Sequence, residues 1–414
     1  MTEWNQYKGD SRNSGLRRDI DGPARVTEAW SADLVGPPGS PVLDRDAVYV
    51  GTSRGNCYAF DRETGHRRWV LETTAATDAT PIVFRDRLFF GTDDGTITAV
   101  DTATGERQWR TDLPADLTAA GLAFSDGRLY VGHAAGLVAF DAETGTEIWS
   151  HETDSAVVGC PAIADGRDRD RSSFDRRNEH APGSGPDPDP DPNPIDGHRE
   201  PTRLGGAISA RDRDADHNWT SERVFVGTDY GSVRALDAET GAEAWSAPID
   251  GTIQGGPTVA DGRVYVAADG TVLSLNAASG QAWFTYENQA GFTTAPTVLA
   301  AADATFVGAA DGYLHVTDTT VGRRKLRGWL FSRKGVELDG PVRSCPVVAG
   351  DVLCVGDASG SLYGIAATDP EPLWHFALGD AISGAPAVAP ERLYLGSDDG
   401  TLQCLAWDAD EPLR

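Results

Sequence analysis

One eleven-residue phrase, Ala59-Phe60-Asp61-Arg62-Glu63-Thr64-Gly65-His66-Arg67-Arg68-Trp69, returns along the chain at a period of about 40 residues, and that repetition limits what the chain can fold into. Counting from Asp to Trp gives eight residues for Asp61 to Trp69, Asp101 to Trp109, Asp141 to Trp149 and Asp237 to Trp245. A fifth copy runs Asn276 to Trp283, one residue short. A sixth keeps Asp318 and Gly322 but has Leu326 where Trp should fall, with Trp329 three residues later. A seventh keeps Trp374 with Ala366 in the Asp position.

Each signature follows an apolar run that ends in a glycine turn, such as Val48-Tyr49-Val50-Gly51 with Gly55 or Leu88-Phe89-Phe90-Gly91 with Gly95. Before that lies an inner strand opening at Pro41, Pro81, Gly121, Pro161, Pro257, Pro296, Pro346 and Pro386. Each unit is four short runs of β-branched and aromatic residues between Gly, Asp and Thr turns. Eight such units predict an all-β, eight-bladed propeller of four-stranded antiparallel blades in a single domain, 1–414. A lead-in, 1–25, precedes repeats that run from about 26. In the last unit the Trp falls due at position 414, the final residue, whereas Trp30 has no unit upstream. The N-terminal strand is therefore expected to complete the last blade and hide an open edge.

Trp30, Trp69, Trp109, Trp149, Trp245, Trp283 and Trp374 read as packing elements that dock one blade on the next. The Asp and Thr-Gly of each copy read as turn chemistry, with Asp accepting backbone N–H groups and Gly supplying positive φ. None is a catalytic candidate. The signature resembles the tryptophan-docking motif of the pyrroloquinoline quinone repeat, shared by quinoprotein dehydrogenases and the outer-membrane barrel-assembly lipoprotein. Trp4-Asn5-Gln6-Tyr7-Lys8-Gly9-Asp10-Ser11-Arg12-Asn13-Ser14-Gly15 resembles the lead-in common in that superfamily. The resemblance implies either a non-catalytic assembly scaffold or an enzyme using the quinone with calcium. The dehydrogenases it evokes carry a catalytic Asp and commonly adjacent cysteines. The five cysteines here, Cys57, Cys160, Cys345, Cys354 and Cys404, include no adjacent pair and no Cys-x-x-Cys, and they read as small buried thiols.

The net charge of −27, with only Lys8, Lys325 and Lys334 as lysines, disfavours nucleic acid and anionic membranes as partners. This acidic, lysine-poor bias is similar to that of proteins from salt-loving archaea. The exception is Arg323-Arg324-Lys325-Leu326-Arg327 with Arg333 and Lys334, which reads as a solvated turn or as a patch for an acidic partner. Residues 1–19 hold no apolar stretch and no membrane span is visible, so a cytoplasmic location is expected.

Pro161 to Gly227 takes 66 residues where Pro81 to Gly91 takes ten, which leaves an insertion of 56 residues, 167–222, between the first two strands of the fourth unit. Its alternating Pro and Asp, Pro186 to Pro194, favour an extended chain that buries nothing. Proline at every second position blocks the tight turn a calcium loop needs, so no metal is assigned and the segment reads as a disordered tether or docking arm. Three residues before the inner-strand position stand Pro38, Asp78, Thr118, Val158, Gln254, Thr293, Arg343 and Ser383, where the copies differ. Asp78, Gln254, Arg343 and Ser383 are the candidate ligand site at the mouth of the central channel. Ser397-Asp398-Asp399-Gly400-Thr401 looks like a sialidase Asp-box but is, in register, the glycine turn of its blade. The expectation is a scaffold with no catalysis and no cofactor, its protein partner held on a propeller face or by the insertion; the alternative is a quinone-dependent dehydrogenase or quinone-binding protein.

Overall fold

A computed structural model describes residues 4–77, 79–166, 219–326 and 335–408. Its strands form eight sheets, each with a sequence-ordered four-stranded meander at its heart. The first blade is Val42–Leu43, Ala47–Gly51, Asn56–Asp61 and Arg67–Glu72. The second through seventh begin at Ile82, Leu117, Val157, Ile253, Thr297 and Val347. The eighth takes three strands from the C-terminal end, Ala387–Ala389, Arg392–Ser397 and Thr401–Ala406, and its fourth from the N-terminal strand Thr27–Asp33. That strand pairs antiparallel with Thr401–Ala406, Trp30 opposite Cys404, so the ring closes as the sequence predicts. The inner three strands of the blades are almost wholly buried, while the outer strand alternates exposed and half-buried residues.

The outer strand also carries the device that joins blades. Ala59 pairs with Trp69 while Phe60 pairs with Arg67, so a one-residue bulge sits just before the indole and re-aims it. The same shift precedes Trp109, Trp149, Trp245, Trp374 and Trp30. Each of five indoles then donates its N–H to a carbonyl in the next blade: Trp30 to Arg62 at 3.1 Å, Trp69 to Thr102 at 2.8 Å, Trp109 to Ala142 at 3.2 Å, Trp149 to Ala238 at 3.1 Å and Trp245 to Ala277 at 3.0 Å. The ring lies flat on the glycine of the receiving turn. A Cβ on Gly65 would fall 2.6 Å from Trp30, and its φ of +70° already favours glycine. Asp61 shapes that turn by accepting from the Thr64 N–H at 3.0 Å and the Thr64 hydroxyl at 2.9 Å. With Arg68 donating to it at 2.8 Å, the Asp61 carboxyl is held well below the usual range.

The fifth blade departs from the sequence expectation. Ser274 pairs with Phe284, so Phe284 and not Trp283 holds the docking register, and it is the Phe284 ring that covers Gly322. Trp283 stands beside it, donating to Thr320 O at 2.8 Å with the Arg263 guanidinium 4.1 Å from its ring centre. The reason is the bulge: the bulge leaves Trp283 unpaired, and the larger ring is the one pushed outward. Trp374 of the seventh blade donates to Pro23 O of the lead-in at 2.7 Å, and Trp407 to Asp21 O at 3.2 Å.

The insertion sits between Val157–Ala164 and Arg223–Thr228, where the proline spacing puts it. Residues 167–218 lie outside the described residues, and so do the Pro-Asp run and the disorder expected there. Its last residues correct the reading that 167–222 buries nothing. Trp219 is 7% exposed, packed in the core between the fourth and fifth blades and 5.6 Å from the Arg223 guanidinium.

Candidate functional site at the channel axis

The inner strands run side by side around an axis, and the lead-in crosses that axis. Its backbone carbonyls are spent on one blade after another: Trp4 accepts from Leu43 N at 2.7 Å, Asn5 from Val83 N at 2.9 Å, Ser11 from Ile163 N at 2.5 Å, Arg12 from Val259 N at 3.0 Å and Gly15 from Val348 N at 2.7 Å. The Gln6 amide accepts from Phe124 N at 3.0 Å and donates to Phe124 O at 3.3 Å, which adds the third blade. Lys8 adds the sixth by donating to Pro296 O at 2.6 Å. Trp4 packs in the cluster with Ala387 and Leu393 of the eighth. One dozen-residue segment thus touches every blade and plugs the end of the channel where the inner strands finish.

Three side chains make the plug specific. The Asn13 amide donates to the carbonyls of Cys160 at 3.0 Å, Pro161 at 3.2 Å and Pro257 at 2.9 Å, joining blades four and five. The Lys8 amine is 1% exposed, and burial lowers its pKa to about 8. The Tyr7 hydroxyl lies 2.9 Å from Cys345 Sγ, its acidity suppressed chiefly by burial. The Cys160 thiol is likewise pushed up to about 12 by burial, so neither it nor Tyr7 is ionised near neutrality.

Above Tyr7 the channel opens as a cavity of about 250 Å³ at the end where the inner strands begin. Glycines 39, 121, 159, 255, 256 and 384 line it, with Ser40, Thr80, Cys160 and Ser383 as its polar groups. Of the four residues selected from sequence, Ser383 lines this cavity, exposed and donating to Asp398 Oδ2 at 3.1 Å. Gln254 is half-buried and turns to Thr252 O at 3.3 Å, Arg343 is exposed beside the mouth, and Asp78 lies outside the described residues. Sequence reasoning missed Tyr7 and Lys8, because a segment outside the repeats has no register to place it. The signal was there in Lys8, one of three lysines in the whole chain.

Pyrroloquinoline quinone is a tricarboxylate, so a site for it needs fixed cations around the ring and, with calcium, a cluster of carboxylates. The described lining offers glycine backbone, hydroxyls and a thiol, while the Lys8 amine behind it is already directed at Pro296 O and Thr258 Oγ1. Among the described residues no group of three His, Cys, Asp or Glu side chains is arranged to hold a metal ion. The cavity therefore does not fit the quinone with its calcium.

The sequence profile of the family described as outer membrane protein assembly factor BamB matches residues 23–118, 93–169 and 202–406. The chain belongs to this family. It is a pyrroloquinoline-quinone-repeat propeller, and the solved structures it resembles carry the same fold. BamB from Moraxella catarrhalis superposes with a TM-score of 0.64 at 20% identity, covering 94% of this chain and 99% of that one. The quinohemoprotein alcohol dehydrogenase from Comamonas testosteroni gives 0.66 at 15% identity, covering 99% and 82%. A europium-containing methanol dehydrogenase gives 0.67 at 14%, covering 98% of each. Among curated proteins, the serine/threonine-protein kinase AfsK from Streptomyces griseus is 35% identical over 164 residues, 37% of this chain. The chain spans about a fifth of that kinase's length, 19%. Family members of this kind include both assembly factors and dehydrogenases, so the fold alone does not choose between them.

Proposed function

We propose that this propeller is a non-catalytic, protein-binding scaffold. The observation that carries the reading is the axis: the position where propellers hold small ligands is plugged at one end by the chain's own lead-in and lined at the other by glycine and hydroxyl groups. Binding then falls to the faces and the rim, where exposed residues differ from blade to blade, and a protein or peptide is the partner that fits a broad surface. The family profile and the BamB superposition support the same reading. Five buried, unpaired thiols suit a reducing compartment, and a cytoplasmic site of action is part of the proposal.

The test is affinity capture of the tagged chain from its own cells at native salt, beside a form lacking residues 167–218. The deletion stops short of Trp219 because that indole belongs to the core. A stoichiometric protein partner is expected, and its loss on deletion would place docking on the insertion. If neither form retains a partner, while quinone with calcium raises the melting temperature and gives dye reduction, the scaffold reading fails.

A further inference from the structure

Every blade boundary from the eighth–first to the fifth–sixth is filled by one aromatic ring laid on the receiving turn, and the sixth–seventh boundary is not. Position 326, eight residues after Asp318, is Leu where the ring belongs. The outer strand of the sixth blade is only Gly335–Glu337, against Arg67–Glu72 in the first. On the receiving side the glycine position, four residues after Ala366, is Pro370. Where the other boundaries hold an indole or a phenyl ring, a cleft of about 830 Å³ opens here, lined by Tyr313, Leu326, Val336, Glu337, Pro370 and Glu371 among others. That volume lies in the range of small-molecule and side-chain pockets, about 300–1,000 Å³.

We infer that this cleft is a docking slot for a segment of a partner protein that inserts an aromatic side chain flanked by basic residues. The inference rests on the scaffold reading and gives it a place on the rim. The aromatic follows from the equivalent slots, where an indole stacks on the turn and donates its N–H to a backbone carbonyl, as Trp69 does to Thr102 at 2.8 Å. The basic flanks follow from the rim of the cleft. Glu337, Asp369 and Glu371 are exposed, while the Lys325 amine is turned inward to the carbonyls of Ala302 and Asp303. An apolar floor with an acidic rim has the layout of a peptide anchor pocket.

The test uses the full chain and a short lysine-flanked tryptophan peptide, with its alanine counterpart as control. The wild type should bind the tryptophan peptide about tenfold more tightly than the control. Leu326→Trp should restore the missing ring, raise the melting temperature by a few degrees and remove that preference. If Leu326→Trp does not fold, the exposed double change Asp369→Lys with Glu371→Lys serves instead, and it should weaken the cationic peptide several-fold. No preference in wild type, together with a stabilised Leu326→Trp, would mean an unfilled packing defect and overturn the inference. Binding that appears only in Trp329→Ala, with a lowered melting temperature, would mean that the chain fills its own slot and would also overturn it. A cellular partner retained equally by wild type and Leu326→Trp leaves the scaffold reading standing while the cleft fails; no partner for either removes the scaffold reading itself.

Discussion

The rim and the axis of this ring are held together by opposite means. At the rim, each Trp joins two neighbours, and the same eleven-residue phrase is reused so that the boundaries add one by one. At the axis, residues 4–15 join all eight blades through carbonyls and amides that occur once in the chain. A repeated contact can be lost at one place with the ring intact, as the sixth–seventh boundary demonstrates. A contact made once has no substitute.

The sharpest way to break the comparison is to remove the axis. Deletion of residues 4–15 should cost more than about 5 kcal/mol, comparable to a domain's whole stability, and leave little folded protein by circular dichroism. A melting temperature close to wild type would reduce the lead-in to a passenger. At the rim the expected effect is smaller and local. Phe284→Ala should destabilise by about 3 kcal/mol by emptying the slot over Gly322. Trp283→Ala should cost under about 2 kcal/mol, chiefly one hydrogen bond and the Arg263 contact, as chemical denaturation would read. The reverse order would restore Trp283 as the docking residue.

Back at the axis, Asn13→Ala strands three carbonyls and should cost about 2 kcal/mol, nearly that of a whole rim ring from a single amide. The smallest effect at neutral pH is that of Lys8→Met, which removes a costly buried charge along with the hydrogen bond to Pro296 O. Its signature is in pH dependence. The folded pKa is lowered to about 8 from 10.5, so between those values the unfolded chain holds the proton that the folded chain has released. Stability from this group therefore rises from pH 8 towards 10, by about 2 kcal/mol, and the rise should be missing in Lys8→Met. Equal pH profiles for the two proteins would show that the amine is not buried as described.

What could be read in the sequence follows the same division. Blade number, strand order and ring closure were legible because Asp, Gly and Pro recur at fixed spacing and Trp30 lacked a unit of its own. The fifth boundary was misread because Trp is a louder signal than Phe, although counting eight from Asn276 lands on Phe284. The plug was not legible, since residues 4–15 obey no period and nothing local says where their hydrogen-bonding groups go. Of the mouth residues, Ser383 reached the cavity because it sits where the inner strand opens. Gln254 did not, because its amide found Thr252 first.

The closure of the ring also sets a timetable. The segments that emerge first during synthesis, residues 4–33, have partners as distant as Val348 and Cys404, which emerge nearly last. Until then each finished blade offers an open inner edge and a docking turn with no ring upon it, and the nascent chain must carry these exposed. Contacts of such long sequence separation form slowly. Assembly of this ring is therefore a single late event rather than a steady accretion, and a chaperone that shields the waiting N-terminal segment would act at the step that decides yield.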